Sequence, residues 1–587
     1  MKQTDSLLRK EIHTCDLCVV GGGMSGVTAA ISAARRGVKT VLIQDRPVLG
    51  GNSSSEMRVH ICGADISGGR PHMRETGILE ELRLENLIRN PNRIYSVWDT
   101  ILYEKCLFHE HITLLLNCSC LDAEMEGARI ISVTGWQLTT YTFHTVKASL
   151  FADCSGDGIL APLTGAEYRI GREARSEFGE SHAPEKADQK TMGMTCLFHS
   201  REYDSPQPFR PPRWAHTFTS CDELPYGADG HTWWKMGYWW IELGGEYDSI
   251  HDTEYLRDEL LKITWGVWDH IKNHCDAQAD NWAVDWIQFL PAKRESVRYT
   301  GDHVLNQNDV EAQGTFDDLV AYGGWSMDDH HPAGFRCVKL GAPATIFHEA
   351  PCPYGIPYRS LYSKNIENLF CGGRCHSATH MAFSSTRVAG TGMSMAQAQG
   401  AAAALCIQKS IDPRGVLDHM HELQQALLRD DAYLPRVRQE FSPLTAEARL
   451  HASQGDPEPV RDGISRQVED DPHCWEQREG DTIAYEFDTS RTVENAVLIL
   501  DSGMDRYIQM SYHHKRCEKA FRVPDVIPDT FAIDIKKNGT WETLNEISGN
   551  YQRMVEIPVK RECEGVRYSL HKTRGAEKSR MYGFYLE

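Results

Sequence analysis

Residues 16–45 restrict the fold of this chain more than any other stretch. DLCVV (16–20) is a short apolar run without alternation, as expected of a strand buried on both faces, and GGGMSG follows it directly. Val27, Ala30, Ile31 and Ala34 then recur at helical spacing, Arg35 and Arg36 fall in the last turn, and Gly37 stands at the C-cap. VKTVLIQD (38–45) reads as a second buried strand. Strand, glycine turn, helix and return strand make a βαβ unit, which commits the chain to the α/β class.

Within that unit Gly21, Gly23 and Gly26 fit G-x-G-x-x-G. The first glycine permits the tight turn, the second lets backbone approach a pyrophosphate, and the third lets helix and strand pack closely. The helix N-terminus then faces the anion, so the unit predicts a dinucleotide site. An acidic residue is expected at the end of the second strand to hold the ribose hydroxyls. Gln44 occupies that place with Asp45 beside it, and either is a candidate for the contact.

Composition narrows the setting. A chain of 587 residues exceeds one ordinary domain, and 41 % hydrophobic with 25 % charged residues is normal for a globular enzyme. No run of 18 apolar residues predicts a membrane span. A net charge of −20 speaks against general attraction to nucleic acid or anionic lipid. MKQTDSLLRKEIHTCD has no apolar core, so no secretory signal is expected. The 18 cysteines fall singly in apolar runs, which suits reduced thiols and a cytoplasmic location. Cys15/Cys18 and Cys371/Cys375 lack the second pair a zinc site needs, and Asp328-Asp329-His330-His331 lacks a third spaced ligand, so no metal is expected.

RPVLGGNSSSEMR (46–58), the successive short strands of 112–153 closing on DCSGDG (153–158), and NLFCGGRCHSATHMAFSSTRVAGTGMSMAQAQGAAAALC (368–406) together resemble the FAD-dependent oxidoreductase family. In that family a glutathione-reductase-type Rossmann flavin domain, carrying a β-meander, is joined to a long substrate insertion. The resemblance runs from about residue 15 to 408, and GAEYRIGREARSEFGESHAPE, LPAKRESVRYTGDHVL and YGGWSMDDHHPAGF add to it. It implies FAD as cofactor. It also implies a path for the cofactor along Gly50, Gly51, Asn52, Ser53, Glu56 and Arg58, past Asp153, Gly156 and Asp157, to Gly373, Arg374, Thr391 and Gly392. Related enzymes carry Gly-Asp where this chain has Gly373-Arg374. Arg374 then contacts the pyrophosphate, or the ribityl contact comes from elsewhere. No second G-x-G-x-x-G unit is present to bind a nicotinamide nucleotide, so electrons leave to an acceptor the sequence does not name.

Ten of the 14 tryptophans lie between Trp214 and Trp325, four of them in HTWWKMGYWWIELGG (231–245). Adjacent residues of a strand point to opposite faces, so most of these rings are expected in the core and a few on a surface that stacks against a sugar ring. Removing hydride from an alcohol carbon requires a base for the hydroxyl proton, a role that suits histidine. His330 and His331 beside two aspartates, His376 and His380, and also His60, are the candidates. Arg294, Glu295 and Arg387 are candidates for substrate oxygens or the flavin edge, or for ion pairs.

Beyond DHMHELQQALLRDD the pattern turns to short alternating strands separated by turns, with Asn538-Gly539 the strongest turn signal. This predicts an antiparallel β-sandwich (jelly roll), similar to galactose-binding-like modules, serving as glycan binder, padding or the interface of a homo-oligomer. The expected plan is thus a discontinuous flavin domain (1–165 and 345–410), a Trp-rich cap (166–344), a helical linker (411–444) and the sandwich (445–587). The expected activity is FAD-dependent oxidation of a hydroxyl-bearing small molecule, a sugar or glycoside. The alternatives are redox-neutral glycoside cleavage through transient oxidation and elimination, a carboxylate oxidoreductase, and a glycan-binding protein without catalysis.

Overall fold

The computed structural model describes residues 7–66, 69–227, 239–511 and 521–587. β1 (Arg9–Val20), α1 (Met24–Ala34) and β2 (Thr40–Ile43) form the parallel unit read from the sequence. The chain continues through α2 (Ile78–Arg89) and α3 (Tyr95–Leu107) into β3 (Ile112–Leu115), then the meander β4 (Cys118–Glu126), β5 (Arg129–Gln137) and β6 (Thr142–Asp153). β7 (Leu369–Cys371) returns far downstream to pair with β6 in parallel. The sheet order is β3-β2-β1-β6-β5-β4.

Two strands are longer than their apolar runs suggest. β1 begins at Arg9, and its first half pairs only with the first half of β6, since β2 joins it only from Leu17. YTFHTVKA and SLFAD, which read as two strands, are the single strand β6; its first half also takes β5 and its last three residues take β7.

After β7 come α4 (His380–Thr386) and α5 (Ala389–Lys409). α5 is rich in alanine and glycine, and this lets it lie directly on α1: a Cβ on Gly400 would stand 2.5 Å from the Ala29 carbonyl oxygen, and Ser32 Oγ donates to Gln397 O at 2.8 Å. Val19, Val27, Leu42, Ala402 and Ala403 are fully buried there. Burying a side chain such as Val or Leu stabilises the fold by about 1.5–3 kcal/mol.

The segment between β6 and β7 carries small sheets. Met194–Thr195 lies between Glu242–Leu243 and Ala292–Lys293, and Phe198–Glu202 pairs with Trp282–Ile287. Trp240 and Trp282 are buried in one core with Trp268 of the helix Thr253–Asp269, whereas Trp239, next to Trp240, lines the cavity. Trp214 is exposed, and Trp233 and Trp234 lie outside the described residues. The hairpin of Met327–His330 with Thr345–His348 straddles residue 344.

α6 (Met420–Arg429) leads to the C-terminal strands β8 (Arg449–Ala452), β9 (Trp475–Gln477), β10 (Thr482–Leu500), β11 (Pro528–Lys537), β12 (Thr540–Ile547), β13 (Met554–Thr573) and β14 (Ser579–Leu586). All their pairings are antiparallel. β10 and β13 each join two of the short strands expected from the sequence and pair with each other across bulges; β10 lies beside β8 in its first half and beside β14 in its second, and the second half of β13 lies beside β11. Their inner faces close on one core containing Tyr485, Leu498, Phe531, Ile557, Tyr568 and Phe584. Asn538 (φ 48°) and Gly539 (φ 77°) make the β11–β12 turn, both left-handed as a tight hairpin demands. In YIQMSYH, expected as a strand, 507–511 is loop packed on α2 and 512–513 fall outside the described residues.

Among the described residues no helix is long and apolar enough to cross a membrane. All 17 described cysteines are free.

Candidate functional site

A cavity of about 1840 Å³ runs from the carboxyl ends of β1, β2 and β6 to the Trp-rich segment. At its first end Gly21 (φ 101°) makes the turn out of β1; a Cβ there would meet the Cys154 backbone at 2.5 Å. Gly26 does not line the cavity. It lies beneath the turn, where a Cβ would stand 1.8 Å from the Gly21 carbonyl oxygen. Gly23, the N-cap of α1, offers no side-chain cap, so the amides of the helix start face the cavity with Met24 and Ser25. Gly50, Gly51, Asn52 and Ser53 line the same end, tied to the glycine turn by Gly50 N to Gly22 O at 2.9 Å.

Gln44 reaches the cavity, but both ends of its amide are engaged: Oε1 accepts from Gly22 N at 2.8 Å and Nε2 donates to Val48 O at 3.1 Å. It braces the turn and leaves Asp45, exposed at the cavity edge, as the better placed of the two for a ribose.

Several residues that the resemblance places along the cofactor stand behind the wall. Glu56 holds Arg46 in a two-point ion pair, both contacts 3.0 Å, and it is Arg46 that lines the cavity. Arg58 turns away, with its guanidinium 4.3 Å over the Trp286 ring and 3.3 Å from His199 Nδ1. Asp153 is fully buried. It accepts from the Ser155 and Leu160 amides and from Tyr299 OH, so it shapes the turn that presents Gly156 and Asp157. Thr391 bonds Glu75 at 3.3 Å in the interior, whereas Gly392 lines the cavity. Asp157 pairs with Lys293 at 2.7 Å. Gly373 and Arg374 line the cavity, and the buried Arg374 Nε has no hydrogen-bond partner.

At the other end stand Trp239, Trp325, Asp328, His330, Arg294 and Arg387. His330 Nδ1 donates to Glu242 Oε2 at 2.7 Å, and Nε2 is 3.4 Å from Asp328 Oδ1. Burial by itself lowers the imidazole pKa, but Glu242 and Asp328 outweigh it and the net shift is upward. Asp328 is held down at about 2: burial would raise it, and His330 and Arg387 more than offset that. Arg294 donates to Thr195 Oγ1 at 2.6 Å and to Trp239 O at 2.8 Å, 3.3 Å from Glu242. Arg387 donates to Asp328, and its buried Nε has no hydrogen-bond partner. Trp239 meets the His330 ring edge-on at 5.9 Å.

His331, His376 and His380 do not line this cavity. His331 caps the following turn, accepting from Ala333 N. His376 is fully buried, donating to Gly373 O and accepting from Thr386 Oγ1; burial lowers it to about 4, so it is neutral and structural. His380 lies between Glu295 (2.9 Å) and Asp329 (3.1 Å), and these carboxylates overcome burial and lift it to about 10. With both nitrogens donating, His380 has no lone pair for a substrate proton. His60 does line the cavity. Glu242 escaped the sequence reading; the one signal was a lone carboxylate inside the apolar run YWWIEL.

The residues present fit a flavin dinucleotide. Turns that a Cβ would fill, an uncapped helix start at α1, a second uncapped start at α5 beside Gly392, and the unpartnered Arg374 Nε all open on one cavity. A parallel nucleotide-binding sheet sharing that cavity with a buried histidine, arginines and carboxylates defines a dinucleotide-dependent oxidoreductase. Residues 16–427 match the family model of FAD dependent oxidoreductases. The chain belongs to that family, FAD is its cofactor, and the expectation of a glycan-binding protein without catalysis is set aside.

Among solved structures the chain is similar to a family 32 carbohydrate-binding module from Streptococcus pneumoniae EndoD (13 % identity, 24 % of this chain and 97 % of that one, TM-score 0.20). It is also similar to chitosan-binding module 1 of a chitosanase/glucanase from Paenibacillus sp. IK-5 (15 %, 24 % and 97 %, TM-score 0.18). A third is L-proline dehydrogenase from P. horikoshii (15 %, 28 % and 26 %, TM-score 0.17).

Proposed function

We propose that this enzyme oxidises a hydroxyl group of a sugar or glycoside, with His330 accepting the hydroxyl proton. The observation that carries the reading is the grouping of Trp239 and Trp325 with His330, Asp328 and Arg387 at one end of the cavity. Indole faces stack on the C–H face of a sugar, and the arginine and carboxylate meet its hydroxyls. Bound FAD supplies the acceptor for the hydride that leaves the carbinol carbon. Glu242 fixes the His330 ring through Nδ1 and its charge stabilises the imidazolium that forms; Nε2, 3.4 Å from Asp328 Oδ1 and beyond hydrogen-bond reach of it, is the nitrogen that would take the hydroxyl proton. Because the His330 pKa is raised, the ring is protonated at low pH, and oxidation rises with pH through a value above the ordinary 6.5.

Arg294 and Arg387 at the same end favour a second reading, a substrate that carries a carboxylate. One experiment separates the two: anaerobic titration of the flavin-loaded protein with sugars, glycosides and simple hydroxy acids, read as bleaching of the flavin absorbance. Bleaching by a neutral sugar supports the first reading, and bleaching confined to acids supports the second. With no bleaching by either, both fail.

A further inference from the structure

We infer that the C-terminal sandwich completes the cavity: the loop that follows β10 forms part of its wall through Ser511, next to a pocket shared with Ser53, Val59 and His60, and helps to select what enters. This rests on the oxidation reading for the kind of molecule selected, though not for the position of the wall.

The loop leaves the sandwich and is built into the flavin domain. Arg74, fully buried ahead of α2, pairs with Glu80 at 2.6 Å and donates to the carbonyls of Ser502, Gly503 and Arg506 at 2.8–2.9 Å. His72 N donates to Met504 O at 3.0 Å, and Ile508 packs against Leu84 and Leu87 of α2. Met510 Sδ accepts from the amides of Asn86 and Asn90. Ser511, the next residue, is buried and lines the main cavity.

Gln509 is 5 % exposed, and neither atom of its amide has a hydrogen-bond partner. A buried amide left unpaired costs about 1–3 kcal/mol, so natural proteins seldom keep one without a use. Gln509 borders a pocket of about 20 Å³ whose other walls include Ser53, Val59 and His60. Those three also line the main cavity, so the amide stands one side-chain layer behind its wall.

Two more buried arginines tie the loop's parent module to the segment ahead of α2 and to the residues that follow α6. Arg466 lies 4.1 Å over the Tyr433 ring and donates to the carbonyls of His72 and Arg74. Arg553 pairs with Asp431 at 2.8 Å. A module tethered only to recruit glycans needs no such joint, since domain interfaces are by default small and mobile.

The test uses the full-length protein loaded with FAD. Ser511→Trp is expected to raise KM for the substrate found by flavin bleaching about tenfold, with kcat within about threefold and flavin content unchanged; Ser511→Ala is expected to move KM about two- to fivefold. Dithionite, which needs no substrate pocket chemistry, is expected to bleach the flavin of Ser511→Trp about fivefold more slowly than in the wild type. KM and dithionite rates equal to wild type in both variants would overturn the inference, as would loss of flavin in both, since Ser511 would then hold the cofactor site and not the entrance. If no hydroxyl compound bleaches the wild type, the oxidation reading fails and the dithionite rate alone decides the wall: slowing upholds it, and an unchanged rate overturns it.

Discussion

His380 offers a quantitative check on the electrostatics of the site. Its ring is buried between Glu295 and Asp329, and the folded protein holds its proton up to about pH 10, against 6.5 for the ordinary side chain. A group with a raised folded pKa contributes stability that is fully present below the unfolded pKa and is lost as pH rises through the folded value. Between pH 6.5 and about 10 the folded state therefore binds one proton more than the unfolded chain at this site. Each pH unit in that window removes about 1.4 kcal/mol, or about 3 kcal/mol between pH 7 and pH 9. Other buried groups titrate there too, so the measurement is a difference of differences: denaturant unfolding of wild type and His380→Gln at pH 7, 8 and 9, with flavin loading held equal. The variant starts less stable, because Asp329 and Glu295 lose the imidazolium between them and Glu295 keeps the Arg298 cation at 3.2 Å, and the gap narrows by about 3 kcal/mol by pH 9. A gap independent of pH would show that His380 is neutral in the folded state, and it would return to the candidates for the base.

Glu242→Gln removes the charge that most raises His330, so the acid limb of the pH–rate profile is expected to move to lower pH; an unmoved limb would assign that limb to another group. Trp239→Ala is expected to weaken apparent affinity for a sugar by about 1–2 kcal/mol in flavin-bleaching titrations while flavin content stays constant. Gly26→Ala forces α1 away from the Gly21 carbonyl; at a cost of about 1–3 kcal/mol it is expected to purify with reduced flavin, read as the ratio of visible to ultraviolet absorbance. Arg74→Met strands the buried Glu80 charge and is expected to cost about 3–5 kcal/mol in unfolding experiments.

The flavin domain was largely legible in the sequence because its signals are local. The three glycines, the α1 periodicity and the small-residue helix α5 each follow from a contact within one βαβ unit or one helix pair, and the structure shows those contacts. The candidate site was less legible because it is assembled from distant strands. His330 and Glu242 are brought together by packing, and nothing near His330 in the chain marks it apart from His331, which faces elsewhere. His380 and His376 fit the pattern of a base equally well in sequence. Only their partners, two carboxylates for one and a carbonyl with a threonine hydroxyl for the other, show that neither has a free lone pair to use. The C-terminal strands were recognised but divided too often, since bulges in β10 and β13 break the alternation without ending the strand.

β6 and β7 lie side by side, with Asp153 opposite Cys371, so everything between them leaves and re-enters the sheet at neighbouring positions. The insertion is nonetheless woven into the core of that sheet: Leu319, Val320, Tyr354 and Ile356 share a core with Val19 and Leu42, Val297 and Tyr299 pack with Val20 and Phe151, and Tyr299 OH donates to Asp153. In engineering terms the cofactor half and the insertion are one casting, and a graft between the two entry points would have to reproduce these contacts.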